Sequence, residues 1–306
     1  MTDDTTARFS VVVPTRRRPA ALRRCLESLA RLDYPVDAYE VVVVDDGGGL
    51  DGELVTSPRE NVRLLEQEPA GPARARNRGA AAASAPYLAF VDDDCVVDSG
   101  WLHALGAELR ARPDAAVGGR VMNDLPENAC ATATQMLIDY VSRWYASNRP
   151  ERQFATSNNL AVSRAAFLEV GGFDERFQLA AAEDRDFAAR WAAAGRELVT
   201  APAAVVRHAH DLTLARFLRQ HFNYGRGSHV LRSPESADVA GFEPLGFYFR
   251  LVTEPLRQQR LARRRALVLV ALLVLSQAAT ALGFVYEATR SRQGASTSLR
   301  ARKPSA

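Results

Sequence analysis

Short apolar runs alternate with helical periodicity through the first third of the chain. Phe9 to Val13 is an apolar-rich run stopped by Pro14, and such runs, bounded by breakers and rich in β-branched and aromatic residues, read as buried strands. Pro19 then stands at a first helical position, with Leu22, Cys25, Leu26 and Leu29 following at helical spacing. Glu40 to Val44 supplies a second strand. The alternation continues with a strand over Val62 to Leu65, a helix over Pro72 to Ala83 and a strand over Tyr87 to Val91. This is the pattern of a doubly wound α/β sheet, whose ligands collect at the carboxyl ends of its strands.

The Tyr87 strand ends in three carboxylates, Asp92, Asp93 and Asp94. Side chains alternate along an extended chain, so Asp92 and Asp94 are expected on one side and Asp93 on the other. Two like charges so close need a cation or hydrogen-bond donors, and Mg²⁺ or Mn²⁺ favours carboxylate oxygen. A solvated acidic turn is the alternative that these residues alone leave open. The second strand also ends in acids, Asp45 and Asp46, followed by three glycines. Neither GxGxxG nor GxxxxGK[ST] is present, and the turn after the first strand reads PTRRRP. In GPARARNRG, arginines open a helix whose backbone N–H groups already favour anions, an arrangement suited to a diphosphate. Arg74 and Arg78 share one helical face there, and Arg76 points elsewhere.

In AAEDRDFAARWAAAG, helical spacing sets Asp184 on the stripe of Phe187, Ala188 and Trp191, with Asp186 and Arg190 spaced for an i,i+4 ion pair on another face. A carboxylate in the first turn is kept ionised by the helix's positive end and would accept a proton from a hydroxyl. Helix capping by Glu183 and Asp184 is the competing reading. His208 and His210 occupy alternate positions of a strand-like run, as metal-shell imidazoles or as structural histidines. Trp101 would stack on a sugar ring or, with Leu102, Leu105 and Leu109, pack a helix into the core.

Composition narrows the classes. The chain has 306 residues, 39 basic against 36 acidic, for a net charge of +3. With no basic block interleaved by aromatics, there is no nucleic-acid footprint. Cys25, Cys95 and Cys130 lack a CxxC pair, which suits a reducing compartment. The polar N-terminus MTDDTTARFS has no apolar h-region, so the catalytic part is expected to face the cytosol.

The segments VVVPTRRRP, VVVVDDGGG, GPARARNRGAAAASAPYLAFVDDD, GGFDERF and AAEDRDFAARWAAAG together resemble glycosyltransferase family 2, enzymes of the GT-A fold. The resemblance implies an α/β protein with a mixed sheet and flanking helices, a nucleotide-sugar donor, a hydroxyl acceptor, Mn²⁺ or Mg²⁺, and transfer with inversion. Carried onto this chain, it makes Asp184 the catalytic base. Pro14, Thr15, Asp45, Asp46, Arg76, Asp92 and Asp93 become donor contacts, and Asp94 with His208 or His210 a metal site. Asn158, Asn159, Glu183 and Trp101 stand on the acceptor side. The Gly-Gly-Gly after Asp46 departs from the Gly-Ser common in the family. The rivals are a nucleotidyltransferase of similar fold, whose usual glycine-rich, arginine-containing first loop is missing, and a non-catalytic membrane-tethered nucleotide-sugar-binding protein.

The C-terminal part differs in kind. Residues 1–235 make the expected catalytic domain, and 236–306 an amphipathic linker, a hydrophobic helix and a basic tail. From Ala266 to Val285 no residue is charged, and about 20 residues suffice to cross a bilayer core. Arginines flank the run on both sides, so a span, an interfacial helix and a buried helix all remain open. Membrane lipid is an expected partner, at the cytoplasmic face.

Overall fold

Strand β1 (Phe9–Thr15) is buried along its whole length, as Val11, Val12 and Val13 require, and the sheet extends outward from it. In the computed structural model, which describes residues 7–50, 61–179, 181–232, 243–257 and 262–301, β1 pairs in parallel with β2 (Tyr39–Asp46) and with β4 (Tyr87–Phe90). β3 (Val62–Gln67) continues the parallel half beyond β2. Helices α1 (Pro19–Leu29) and α2 (Pro72–Ala82) follow β1 and β3, each with proline in its first turn, where a missing N–H leaves no helical bond unmade.

The other half of the sheet is mixed. β5 (Cys95–Val97), β6 (Ala116–Asn123), β7 (Leu160–Ser163) and β8 (Leu198–His208) complete the order β3-β2-β1-β4-β7-β6-β8-β5 among the described residues. β7 runs antiparallel to both β4 and β6, and β5 antiparallel to β8. Consecutive β1 residues face opposite sides, so two cores form. Val11 and Val13 join Leu22, Leu26, Trp101 and Leu105 on one face, where helices α1 and α3 (Trp101–Ala111) pack. Val12 joins Phe90, Phe167, Phe173, Phe187 and Trp191 on the other, with α5 (Arg164–Glu169) and α6 (Glu183–Ala193).

A third apolar cluster holds the C-terminal helices. Met136 and Tyr140 of α4 (Ala129–Asn148) and Phe217 of α7 (Leu214–Val230) meet Phe247 and Leu251 of α8 (Leu245–Arg257) and Leu269, Leu272 and Leu273 of α9 (Arg263–Ala301). Helix α9 therefore docks along one face of the protein. Leu269, Leu272, Leu273, Ser276 and Ala279 are buried at helical spacing, while Leu267, Val274, Leu282, Val285 and Tyr286 are exposed. Within α9, Arg263–Ser291 is long and apolar enough to cross a membrane, with an 18-residue window of mean hydropathy 2.2. The boundary at 235/236 and residues 302–306 lie outside the described residues.

Two glycines bring α7 and α9 together. A Cβ on Gly225 would overlap the Thr280 carbonyl oxygen, and one on Gly283 the Phe222 carbonyl oxygen. Arg226 Nε pairs with Glu287 Oε2 at 2.5 Å at one end of this seam. Replacing Gly283 with Leu is expected to cost at least about 1–3 kcal/mol through overpacking, seen as a lowered thermal midpoint. Gly246→Ala, at a position with open space around it, should stay within about 0.5 kcal/mol of the parent.

Candidate active site

Strand β4 ends at Phe90 with one further bond to β1, from the Val91 N–H to the Val12 carbonyl at 3.2 Å, and the three carboxylates sit in a turn in which the Cys95 N–H donates to the Asp92 carbonyl at 3.1 Å. As alternation expects, Asp92 and Asp94 both line one cleft while Asp93 does not. Asp93 and Asp94 are nevertheless joined through the guanidinium of Arg18, with Nη2–Oδ1 at 2.8 Å and Nη1–Oδ2 at 2.7 Å. Arg18 comes from PTRRRP, a cluster read in the sequence only as a turn without a glycine fingerprint. Asp93 is fully buried and also accepts the Thr15 hydroxyl at 2.6 Å. Burial pushes its carboxyl up to about 7, against the pull of Arg18. Asp94 is held well below the usual carboxylate range, because His208 and Arg18 outweigh its burial.

Asp92 has a different partner. Arg76 Nη2 meets Asp92 Oδ1 at 2.6 Å while its Nη1 meets Glu183 Oε1 at 3.2 Å. The Arg76 side chain is only 2% exposed, whereas Arg74 is 61% exposed, so the two point apart as their helical spacing predicts. Asp92 and Glu183 keep Arg76 firmly charged despite burial. Glu183 is also buried, and desolvation with the adjacent Asp184 raises its carboxyl to about 7. The Asp184 carboxyl is raised as well, by burial, with Arg185 opposing. The helix end was expected to keep Asp184 readily ionised; desolvation outweighs that stabilisation, so the carboxylate formed is the more basic for it. Ala182, just ahead of the pair, has φ +71°, a left-handed conformation that costs a residue with a Cβ about 1–2 kcal/mol. Asp186 and Arg190 form their ion pair at 2.7 Å, with Asp186 mostly buried rather than at the surface.

β8 delivers the histidines. His208 Nε2 lies 3.1 Å from Asp94 Oδ1, and the His210 ring stacks on that of His208 at 4.6 Å. His208 is raised above its usual pKa by Asp94 in spite of burial, while burial and His208 lower His210 to about 4. Asp94, Cys95 and His208 each offer a ligand atom within 4.8 Å of the others. The Cys95 thiol is pushed far up by burial and the neighbouring acids, which leaves a carboxylate and an imidazole as the practical donors. That set fits a Mn²⁺-like ion with positions left for phosphate oxygens.

These groups face one cleft of about 1500 Å³, lined among others by Arg18, Arg76, Asp92, Asp94, Asp184 and His208. Glu183, His210 and Asn158 line it too. Pro14, Thr15, Asp45, Asp46, Asp93, Asn159 and Trp101 are not among the lining residues. Asp46 is consumed by Gln67 Nε2 at 2.9 Å and by the N–H groups of Ala70 and Gly71 at 2.6 and 3.0 Å. Asp45 accepts the Leu50 N–H at 3.1 Å through Oδ2, while its buried Oδ1 has no hydrogen-bond partner. The glycines after Asp46 all have positive φ, between 67° and 140°, which explains a run of three at this turn. The structure takes Trp101 and Asn159 away from the acceptor side: the fully buried indole donates to Asn159 Oδ1 at 2.9 Å, and Asn159 Nδ2 donates to the Ala204 carbonyl at 2.9 Å. These bonds knit α3 to β8 in the interior of the sheet, which is why both side chains turn inward.

Arg76→Met, which strands two carboxylates, is expected to lose about 3–5 kcal/mol of stability by denaturant titration. Glu183 titrates near 7 in the fold against an ordinary 4.5, so the folded chain holds a proton the unfolded chain releases between those values. Its contribution is complete below about pH 4.5 and lost as pH rises through about 7. Glu183→Gln should flatten that part of the stability–pH curve.

Residues 10–170 match the family Glycosyl transferase family 2. The chain is 30% identical over 224 residues to the pre-mycofactocin glycosyltransferase of Mycobacterium tuberculosis, covering 71% of this chain and 46% of that protein; it thus spans about half the length of this relative. It is 27% identical over 224 residues to the glycosyltransferase AglE of Haloferax volcanii, covering 71% of this chain and 72% of that one. Among solved structures, the mannosyltransferase PcManGT from Pyrobaculum calidifontis, in complex with GDP-Man and Mn²⁺, superposes with a TM-score of 0.58 at 22% identity, covering 97% of this chain and 82% of that one. S. aureus TarS 1–349 gives 0.53 at 19%, covering 94% and 92%. At these identities the likeness is one of fold, the GT-A fold.

Proposed function

The chain belongs to glycosyltransferase family 2, and we propose that it transfers a sugar from a nucleotide-diphosphate donor to an acceptor hydroxyl, with inversion and with Mn²⁺ or Mg²⁺. The observation that carries this reading is the single cleft in which Asp92 and Asp94 face Glu183 and Asp184 across Arg76. Asp184 accepts the proton of the acceptor hydroxyl as its oxygen attacks the anomeric carbon from the side opposite the diphosphate. One displacement inverts that centre, and the bond to the diphosphate breaks. The raised Asp184 pKa suits a base working near neutral pH.

Asp94 and His208 would hold the divalent ion, which when bound offsets the negative charge gathering on the leaving diphosphate. Arg18 and Arg76 add fixed positive charge beside the same acids. Asp45 keeps a buried oxygen without a hydrogen-bond partner beside the glycine turn, behind rather than among the residues that line the cleft. Thr15 and Asp93 support Asp94 from behind through their mutual hydrogen bond and Arg18. Asn158, whose buried Oδ1 also lacks a partner, suits a sugar or acceptor hydroxyl.

Asp184→Asn is expected to lower transfer by about 10²–10⁴-fold while donor affinity, by calorimetry, stays unchanged. Retained turnover would remove Asp184 as the base. Asp94→Ala should lose Mn²⁺-dependent binding of a nucleoside diphosphate. The exposed apolar face of α9 supports attachment to a membrane, which our reading puts at its cytoplasmic side. Replacing Leu275, Leu282 and Val285, all exposed, by Glu should move the protein to the soluble fraction without lowering its thermal midpoint; continued membrane recovery would contradict attachment through this face.

A further inference from the structure

Helix α9 has two faces of opposite character. Every exposed residue from 267 to 286 is apolar or aromatic, and Leu267, Val274, Leu282 and Val285 mark the stripe at helical spacing. The inner face packs on protein and carries the polar groups. Thr280 Oγ1 donates to the His221 carbonyl of α7 at 3.2 Å, and Gly225 and Gly283 bring the two backbones together. Arg226 of α7 pairs with Glu287 at 2.5 Å. Gln277 and Thr280 also line the reaction cleft, together with Arg76, Asp92, Asp94 and Asp184. A wall of the cleft and an apolar outer surface are thus two sides of one helix.

That sharing decides between crossing a membrane and lying along it. About 20 residues at about 1.5 Å each span a hydrocarbon core, so a crossing by Ala266 to Val285 would put Gln277 and Thr280 near mid-depth. The carboxylates and guanidinium groups of the cleft, and the turns of α7 that carry Arg219, Asn223 and Arg226, would then stand at the depth of the acyl chains. Ionisable groups are costly there. A helix lying flat meets no such cost: its apolar stripe enters the boundary between headgroups and acyl chains, and its polar face stays on the protein.

Charge selects a lipid surface over a second copy of the chain. Arg263 and Arg264 are exposed at the start of α9, and Arg290 is exposed beyond the end of the stripe. Two copies paired through the stripe would bring like charges together, the same arginines facing each other if the helices run parallel and Arg263 facing Arg290 if they run antiparallel. An anionic leaflet meets all three with opposite charge.

We propose that α9 lies in the plane of an anionic membrane surface and does not cross it. Its outer stripe is submerged, its inner face remains a wall of the reaction cleft, and both of its ends stay on the side of the catalytic residues. This rests on the reading that the chain attaches to a membrane through α9.

The test is the sidedness of the two ends of α9 in the full chain. Single cysteines are placed by Ala262→Cys and Ser291→Cys, at exposed positions on either side of the apolar stretch. Val36→Cys, at a site 65% exposed, marks the side of the catalytic part. The native Cys25, Cys95 and Cys130 are buried, and the parent chain reports their background. Sealed inverted vesicles and intact spheroplasts from bacterial cells expressing each variant are treated with a membrane-impermeant maleimide. All three positions are expected to label from one and the same side. Labelling of Ala262→Cys and Ser291→Cys from opposite sides would overturn the proposal. In a second arm, the purified chain is floated with vesicles. Binding is expected to be about tenfold or more tighter with phosphatidylglycerol present than with phosphatidylcholine alone, and Arg263→Gln with Arg264→Gln should remove most of that preference. Equal affinity for the two lipids would overturn the anionic surface. A dimer that ignores both lipids and dissociates on Leu275→Glu would assign the stripe to a second copy instead. A parent chain that floats but has its ends on opposite sides defeats only the in-plane placement, whereas one that never floats defeats attachment itself, so the two failures are told apart.

Discussion

The buried guanidinium of Arg76 is the constraint on which the rest of the site depends. It joins Asp92, in the turn after β4, to Glu183 at the start of α6, two segments more than 90 residues apart in the chain. Charges this far from water are tolerated only when paired. The pairing therefore fixes how the N-terminal half of the sheet, which carries Asp94, faces the helix that carries Asp184. Arg18 repeats the device a short way along, holding Asp93 and Asp94 together from the opposite lip.

These two arginines divide the acids into groups with different proton affinities. Asp94, matched by His208 and Arg18, stays ionised, while Glu183, Asp184 and Asp93 are pushed upward by burial. An ionised carboxylate suits the place where a cation and a diphosphate gather. A carboxylate with raised pKa suits the place where a proton is taken up, and one fold supplies both by varying burial and partners.

Much of this was legible in the chain itself. The alternation of β-branched runs with helical spacing gave β1, α1, β2, β3, α2 and β4 to within a few residues, because these elements are buried on predictable faces. Arg76 diverging from Arg74, and the Asp186–Arg190 pair, followed from helical geometry alone. What escaped were arrangements set by tertiary contact. Alternation set Asp92 and Asp94 toward one cleft and Asp93 away from it, but it could not show Arg18, which reaches Asp93 and Asp94 from another loop. Trp101, on one helical stripe with Leu102, Leu105 and Leu109, reads as core in preference to a platform for a sugar ring, and its burial and its bond to Asn159 agree. Hydropathy detected α9 but not that one of its faces is spent on α7 and α4, because the signal lay in Gly225 on another helix.

The account's central claim is that a cation and a diphosphate meet at Asp94 and His208, across the cleft from Asp184. Anomalous scattering from Mn²⁺ in crystals grown with a nucleoside diphosphate tests it most directly. The account predicts one strong peak within coordination distance of the Asp94 carboxylate and the His208 imidazole, with the diphosphate in the cleft that Asp184 lines. A peak bound elsewhere, or a diphosphate seated away from that cleft, would contradict it.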